Sequence, residues 1–316
     1  NRRRFLYCGA GLLCSAMSAS TFWPFSEETA MASGPADIRG HVFKGDSPET
    51  LWKWSHEGFL YTKLDNKLVM CGICPHRCLL SPGDRSVCRS KVSMDGILYS
   101  LTYGNPCSAN VDPIEKKPIF HFKPGSSSYS IATVGCNFKC KFCQNSDIAQ
   151  MPTDQKGMIQ GRKILPQKIV EQAVAAGCQS ISYTYTEPSV FFELAYETAQ
   201  LARENNLSNI FVTNGYMSAD LVHLAAPFLD AANVDLKAFD DNFYQTYCQA
   251  RLAPVKKTLK LMKKAGILVE VTTLLIPGLN DDPGELTRLA RFIAQDLGCD
   301  TPWHISRFHP SHKMTD

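Results

Sequence analysis

The stretch Tyr129-Ser130-Ile131-Ala132-Thr133-Val134-Gly135-Cys136-Asn137-Phe138-Lys139-Cys140-Lys141-Phe142-Cys143 decides the fold. Apart from Ser130, its first six residues are apolar, aromatic or β-branched and predict a strand, which Gly135 ends. Downstream, short runs of the same kind recur at 180–185, 209–213, 233–236, 267–275 and 302–307. Helical periods fill the gaps. Pro166 opens one helix, whose face carries Ile169, Val170, Ala173 and Val174 and which Gly177 closes. Another runs from Pro254 to Gly266, and Asp282 to Glu285 has capping-box spacing before a third. Alternating strands and helices imply parallel pairing through right-handed crossovers. Six such units, where a closed barrel has eight, predict an α/β chain folded as a partial (β/α)6 TIM-type barrel over 126–316.

The cysteines carry the chemistry. The quoted stretch spaces three thiols as C-x3-C-x2-C directly after the first strand, the end at which α/β barrels place their reactive groups. Cys136, Cys140 and Cys143 can wrap one corner of a [4Fe-4S] cubane and leave one iron without a protein ligand, open to a substrate. A zinc site completed by a distant histidine, or buried apolar cysteines, are the alternatives. Upstream, Cys71, Cys74, Cys78 and Cys88 follow C-x2-C-x3-C-x9-C in a Cys-rich N-terminal subdomain expected over 61–125. Four thiolates suit a closed site, either structural zinc or an auxiliary iron-sulfur cluster, and spacing does not choose between them. Cys107, Cys178, Cys248 and Cys299 lack such spacing and read as ordinary half-buried residues.

In all, 13 cysteines in 316 residues is an odd number in a long chain, which argues for metal ligation over a disulfide framework. The 33 Lys and Arg against 30 Asp and Glu leave a net charge of +3, too small to suggest a nucleic-acid partner. The chain opens on Asn1 and stops at Asp316 without a closing element, so both ends read as cut. Residues 1–25 hold a basic Arg2-Arg3-Arg4 run, a short apolar stretch and small residues, the layout of a signal segment too short to span a bilayer. Residues 26–60 read as linker, and no other segment could cross a membrane.

The three-cysteine motif, with an aromatic before its last Cys, resembles the signature of radical S-adenosylmethionine (SAM) enzymes. A closer resemblance is to the radical SAM enzyme of the AmmeMemoRadiSam system, a relative of pyruvate formate-lyase activating enzyme. It is carried by Val111-Asp112-Pro113-Ile114-Glu115-Lys116-Lys117-Pro118, Cys143-Gln144-Asn145 and Trp303-His304-Ile305-Ser306-Arg307-Phe308-His309-Pro310. The resemblance implies that the open iron chelates SAM and that reductive cleavage yields a 5′-deoxyadenosyl radical, which abstracts hydrogen from a substrate. It also implies a low-potential electron donor of flavodoxin or ferredoxin type and a protein or peptide substrate, such as a glycyl residue of a partner enzyme.

Polar residues expected at the other strand ends fit a SAM pocket. Glu187, in Thr186-Glu187-Pro188, stands where the family binds the methionine amino group, without the usual glycines. Asn214 follows the third strand. Asp235 and Lys237 alternate onto one face of the fourth and match the Asp-x-Lys pair of activating enzymes. Ile276-Pro277-Gly278 suits an approach to adenine, and His304 and Arg307 lie on or beyond the sixth strand. Two other classes compete: an iron-sulfur electron-transfer protein without SAM chemistry, and a zinc hydrolase for which only His304 and His309 are placed. Arg2-Arg3 with Phe5-Leu6 resembles a twin-arginine export signal, whereas the supply of SAM and reductant points to the cytoplasm.

Overall fold

The computed structural model describes residues 55–315. The expected signal and most of the linker lie outside the described residues. Among the described residues, no helix is long and apolar enough to cross a membrane.

Two small antiparallel sheets open the described chain. β1 (His56–Glu57), β6 (Ile97–Ser100) and β5 (Lys91–Met94) form one, and β2 (Tyr61–Lys63), β3 (Val69–Cys71) and β4 (Leu79–Leu80) the other. Cys71 ends β3, Cys74 and Cys78 lie in the turn to β4, and Cys88 lies in the turn before β5.

The main sheet has seven strands: β7 (Ser108–Pro113), β8 (Ser127–Ala132), β9 (Ser180–Tyr183), β10 (Ser208–Thr213), β11 (Ala231–Asp235), β12 (Leu268–Leu275) and β13 (Trp303–Arg307), in spatial order of sequence. β8 to β13 pair in parallel, which gives the six expected units, and the outer strands β7 and β13 do not meet. The sheet is therefore an open, partial barrel. β7 was not expected: it runs antiparallel on β8, so the N-terminal segment contributes an edge to the main sheet. Its exposed Val111 and its terminal Pro113 broke the strand pattern.

Helices cross between strands with the expected ends. Pro166–Ala175 starts on proline, Leu252–Lys264 begins two residues before Pro254, and the Pro283–Phe292 helix is capped by Asp282, whose carboxylate accepts the Glu285 N–H at 2.8 Å. Glu285 does not close the capping box. Its carboxylate accepts the Phe239 N–H instead, tying this helix to the loop after β11.

Strand alternation divides the sheet into two faces. Tyr129, Ile131, Ile181, Tyr183, Phe211, Ala232, Val234, Val269 and Val271 pack against the helices in the main core. The opposite, inner face carries Ser128, Ser130, Ser182, Asn233, Asp235, Glu270 and Thr272. Towards its N-terminal end the segment after β7 plugs this face, with Ile114 and Ile119 buried on Ile210 and Ala231. Apolar packing thus closes one end of the inner face and leaves the end with the strand C-termini for polar chemistry.

Candidate functional site

Gly135 carries the chain out of β8 with φ of 101°, a region side chains avoid. A Cβ there would lie 2.1 Å from Ser90 Oγ and 2.9 Å from the Cys88 carbonyl oxygen. Glycine therefore lets the three-cysteine loop lean directly on the Cys-rich subdomain. The loop backbone is then fixed from several sides. The N–H groups of Lys139 and Lys141 donate to the carbonyls of Cys248 and Tyr247, each at 2.9 Å. Ser311 Oγ donates to the Cys143 carbonyl at 3.0 Å, Gln150 Nε2 to that of Phe138 at 3.0 Å, and His76 Nε2 to that of Asn137 at 2.8 Å. These bonds hold the loop's shape without using its thiols.

The three thiols influence one another electrostatically. Burial, then the Glu187 carboxylate and Cys140, push the Cys136 thiol well up. A hydrogen bond with Cys248, then burial, do the same at Cys140, and burial raises Cys143 to about 11. Lys237 opposes the rise at Cys140 and Cys143. A site that keeps unliganded thiols neutral releases their protons when soft metal binds, so the donor set fits an iron-sulfur centre.

The strand-end residues converge on this loop. Asp235 Oδ2 lies 2.8 Å from Lys237 Nζ, and the ammonium stands 5.7 Å from the centre of the Phe142 ring within the cysteine loop. Asn214 Nδ2 donates to Asn137 Oδ1 at 2.8 Å and reaches Cys136 Sγ at 3.7 Å. Glu187 is fully buried, and its carboxylate accepts Thr213 Oγ1 at 2.9 Å and the Asn214 N–H at 2.9 Å. Burial raises its pKa and these donors oppose the rise. Glu187 thereby ties the ends of β9 and β10 together beside Cys136. His304 stands in the same cross-strand row as Asp235, both in register with Thr272, but its Nε2 turns back to Glu270, 2.5 Å away and two residues earlier on β12.

Sequence reasoning missed two residues here. Asn137 bridges the loop to Tyr216 O at 3.0 Å, and its place between two motif cysteines was the available signal. Cys248 is not an ordinary half-buried residue; it is fully buried against Cys140, and no local spacing marks it.

In the second set burial is the leading cause that pushes the Cys71, Cys74 and Cys78 thiols up, Cys71 to about 12, and the neighbouring Cys88 adds to the rise at all three. Lys91, fully buried, stands beside them with Nζ 2.7 Å from both Glu193 oxygens. Burial favours neutral Lys91, but Glu193 and the Cys71 thiol outweigh it and hold the ammonium charged. A buried cation is the expected complement of four thiolates around a metal.

A family model described as the radical SAM superfamily matches residues 130–290. An uncharacterized protein of Methanocaldococcus jannaschii, MJ0808, is 46% identical over 82% of this chain and 76% of its own length. A second from that organism, named "Putative glycyl-radical enzyme activating enzyme MJ1632", is 26% identical over 58% of this chain and 68% of its own. Among solved structures, a radical SAM methyltransferase from Sphaerobacter thermophilus aligns with a TM-score of 0.45 and 20% identity, covering 59% of this chain and 57% of that one. With its parallel sheet and its cysteine loop after the first parallel strand, this chain belongs to the radical SAM superfamily of enzymes and is related to the activating enzymes.

Proposed function

We propose that Cys136, Cys140 and Cys143 hold the [4Fe-4S] cluster at which SAM is cleaved, and that the chain acts as an activating enzyme, taking hydrogen from a glycyl residue of a partner protein. Held there, the cluster would supply the single electron that reductive cleavage of SAM to methionine and a 5′-deoxyadenosyl radical requires. The observation that carries the reading is the meeting of the three-thiol loop with the Asp235–Lys237 pair at the strand C-termini. Asp235 offers a carboxylate to cationic or hydroxyl groups of SAM, and Lys237 holds that carboxylate in place. Asn214 presents its amide beside Cys136, while Glu187 fixes the strand end from which Asn214 projects. The protein's share is position and exclusion of water. The name of the 26%-identical relative supports a glycyl acceptor.

The electron comes from a low-potential flavodoxin or ferredoxin type donor. A groove of about 630 Å3 is lined by Arg251, Lys256, Lys257 and Lys260 together with Asp241; Arg251 pairs with Asp241 and Lys260 with Asp296, which leaves Lys256 and Lys257 as its surplus charge. That surplus suits an acidic redox protein.

The second cysteine set, within the 61–125 subdomain, holds an auxiliary [4Fe-4S] cluster in this reading. Four thiolates satisfy a structural zinc equally well, and metal analysis of the reconstituted protein distinguishes the two.

Anaerobic reconstitution followed by a SAM-cleavage assay tests the function. Reduced, iron-loaded protein is expected to release 5′-deoxyadenosine and to leave a glycyl-radical EPR signal on a co-incubated partner. Release of 5′-deoxyadenosine that persists in Cys140→Ala would refute the site. Release without a glycyl signal on any candidate partner would refute the activating role alone.

A further inference from the structure

Away from both thiol sets, three metal-ligating side chains from separate segments meet on the inner face of the sheet. His121 lies in the plug after β7, Glu270 on β12 and His304 on β13. Their donor atoms all lie within 4.8 Å of one another. Both imidazoles approach the same carboxylate oxygen: His304 Nε2 is 2.5 Å and His121 Nδ1 3.3 Å from Glu270 Oε2. Ligands at about 2.0–2.2 Å from one ion stand roughly 3 Å apart, so the observed spacings bracket what a shared metal requires.

The surroundings fit a metal better than a plain hydrogen-bonded strap. Glu270 is fully buried, and its carboxylate accepts the backbone N–H groups of Phe120 and His121 at 3.1 and 2.8 Å, the outer support a ligating carboxylate needs. The Phe120 ring lies 5.1 Å from the His304 imidazole, which fixes the ring's place. Two buried oxygens on the same face have no hydrogen-bond partner: Asn233 Oδ1, in register with Glu270, and Thr272 Oγ1, in register with His304. Both Asn233 and Thr272 are more than nine-tenths buried. Orphaned acceptors at such depth cost free energy unless water or an ion meets them. His121 is largely exposed and offers the ion a way in.

We propose that His121, Glu270 and His304 form a mononuclear site for a divalent first-row metal ion, with Asn233 Oδ1 and Thr272 Oγ1 completing the shell directly or through water. Two histidines and one carboxylate with open positions are the donor set of many zinc and non-haem iron(II) centres. The site shares no residue with the thiol loops, and of its members His304 and Thr272 stand in the cross-strand row of Asp235. Glu270 precedes Thr272, the register partner of Asp235, by two residues, or roughly 7 Å along the strand. The proposal does not depend on SAM chemistry.

Cobalt(II), a spectroscopic stand-in for zinc or iron, is the probe. Anaerobically reconstituted protein, freed of loosely held metal with a chelator, is titrated with cobalt(II). One equivalent per chain is expected to bind, giving the visible bands of a nitrogen and oxygen site without thiolate charge transfer. His304→Asn and His121→Ala are each expected to weaken binding tenfold or more. The triple variant Cys136→Ser, Cys140→Ser, Cys143→Ser is expected to bind as before. Circular dichroism melts confirm that the variants fold, and His121→Ala, at an exposed position, serves if His304→Asn does not. No cobalt uptake, uptake undiminished in folded His121→Ala, or thiolate charge-transfer bands lost in the triple variant would each overturn the site.

Discussion

The two thiol sets are built from the same residue and lie against each other, yet their surroundings differ. Around Cys136, Cys140 and Cys143 the neighbours are polar groups from three strand ends, among them Asn214 and the Asp235–Lys237 pair, which is partly open to solvent. Around Cys71, Cys74, Cys78 and Cys88 the fully buried charged neighbours are a sealed pair, Lys91 with Glu193. The first set has fewer thiols than a cubane has irons and keeps other groups within reach; the second has four and a matching buried cation. An incomplete ligand set beside adjustable polar groups suits a reacting centre, and a complete one beside a locked ion pair suits a centre that is only held.

The largest expected effect breaks that contrast at its base. Cys140→Ala should abolish 5′-deoxyadenosine formation, whereas Cys74→Ala should lower bound iron by about half if both sets hold four-iron clusters and leave measurable SAM cleavage. Iron analysis with product chromatography reads both. Equal loss of cleavage in the two variants would show that the sets do not divide the work in this way.

Next comes Lys91→Met. It leaves Glu193 buried and unpaired, and removing one member of a buried pair costs roughly 3–5 kcal/mol. Urea unfolding should show that loss, and adding Glu193→Leu should recover much of it. A cost no greater than that of Lys168→Met, which breaks an exposed pair with Glu171, would sink the distinction between locked and open surroundings.

A pH series sharpens the comparison. In metal-free protein Cys71 keeps its proton to about 12 and Cys143 to about 11, whereas an unfolded thiol ionises near ~8.5. Between those values the folded chain binds more protons than the unfolded one. The stability these thiols contribute is therefore complete below pH ~8.5 and is lost as pH rises towards 12. Unfolding midpoints of chelator-treated protein should fall through that window, and those of metal-loaded protein should stay flat there, because its thiols have already shed their protons.

The smallest effect concerns electron delivery. Lys256→Glu with Lys257→Glu should slow reduction by an acidic flavodoxin several-fold at low salt and little at high salt, since steering charges are screened. Stopped-flow reduction at two ionic strengths measures it. Reduction by dithionite should not change.

Much of this was legible in the sequence because it is local. The six parallel strands, the Asp282 cap and the cysteine spacings each announce themselves within about ten residues. Asp235 and Lys237 meet as strand alternation suggests, although β11 ends at Asp235 and Lys237 lies just beyond it. What escaped depends on contacts between distant segments. β7 joins the main sheet at an edge where half its residues need not be apolar, so its pattern is weak. Cys248 meets Cys140 from more than a hundred residues away, and nothing around it differs from an ordinary core cysteine. His304 followed the expected strand, but its partner was decided by the register of β13 on β12 and by a plug no periodicity marks.

Gly135 carries a consequence for biosynthesis. The wall it leans on, Cys88 and Ser90, precedes it in the chain and leaves the ribosome earlier. The small sheets can thus form before the reactive loop is made, and that loop emerges onto a template. Any side chain at position 135 would push the loop off that template, and both centres would be misassembled by a change that replaces no ligand.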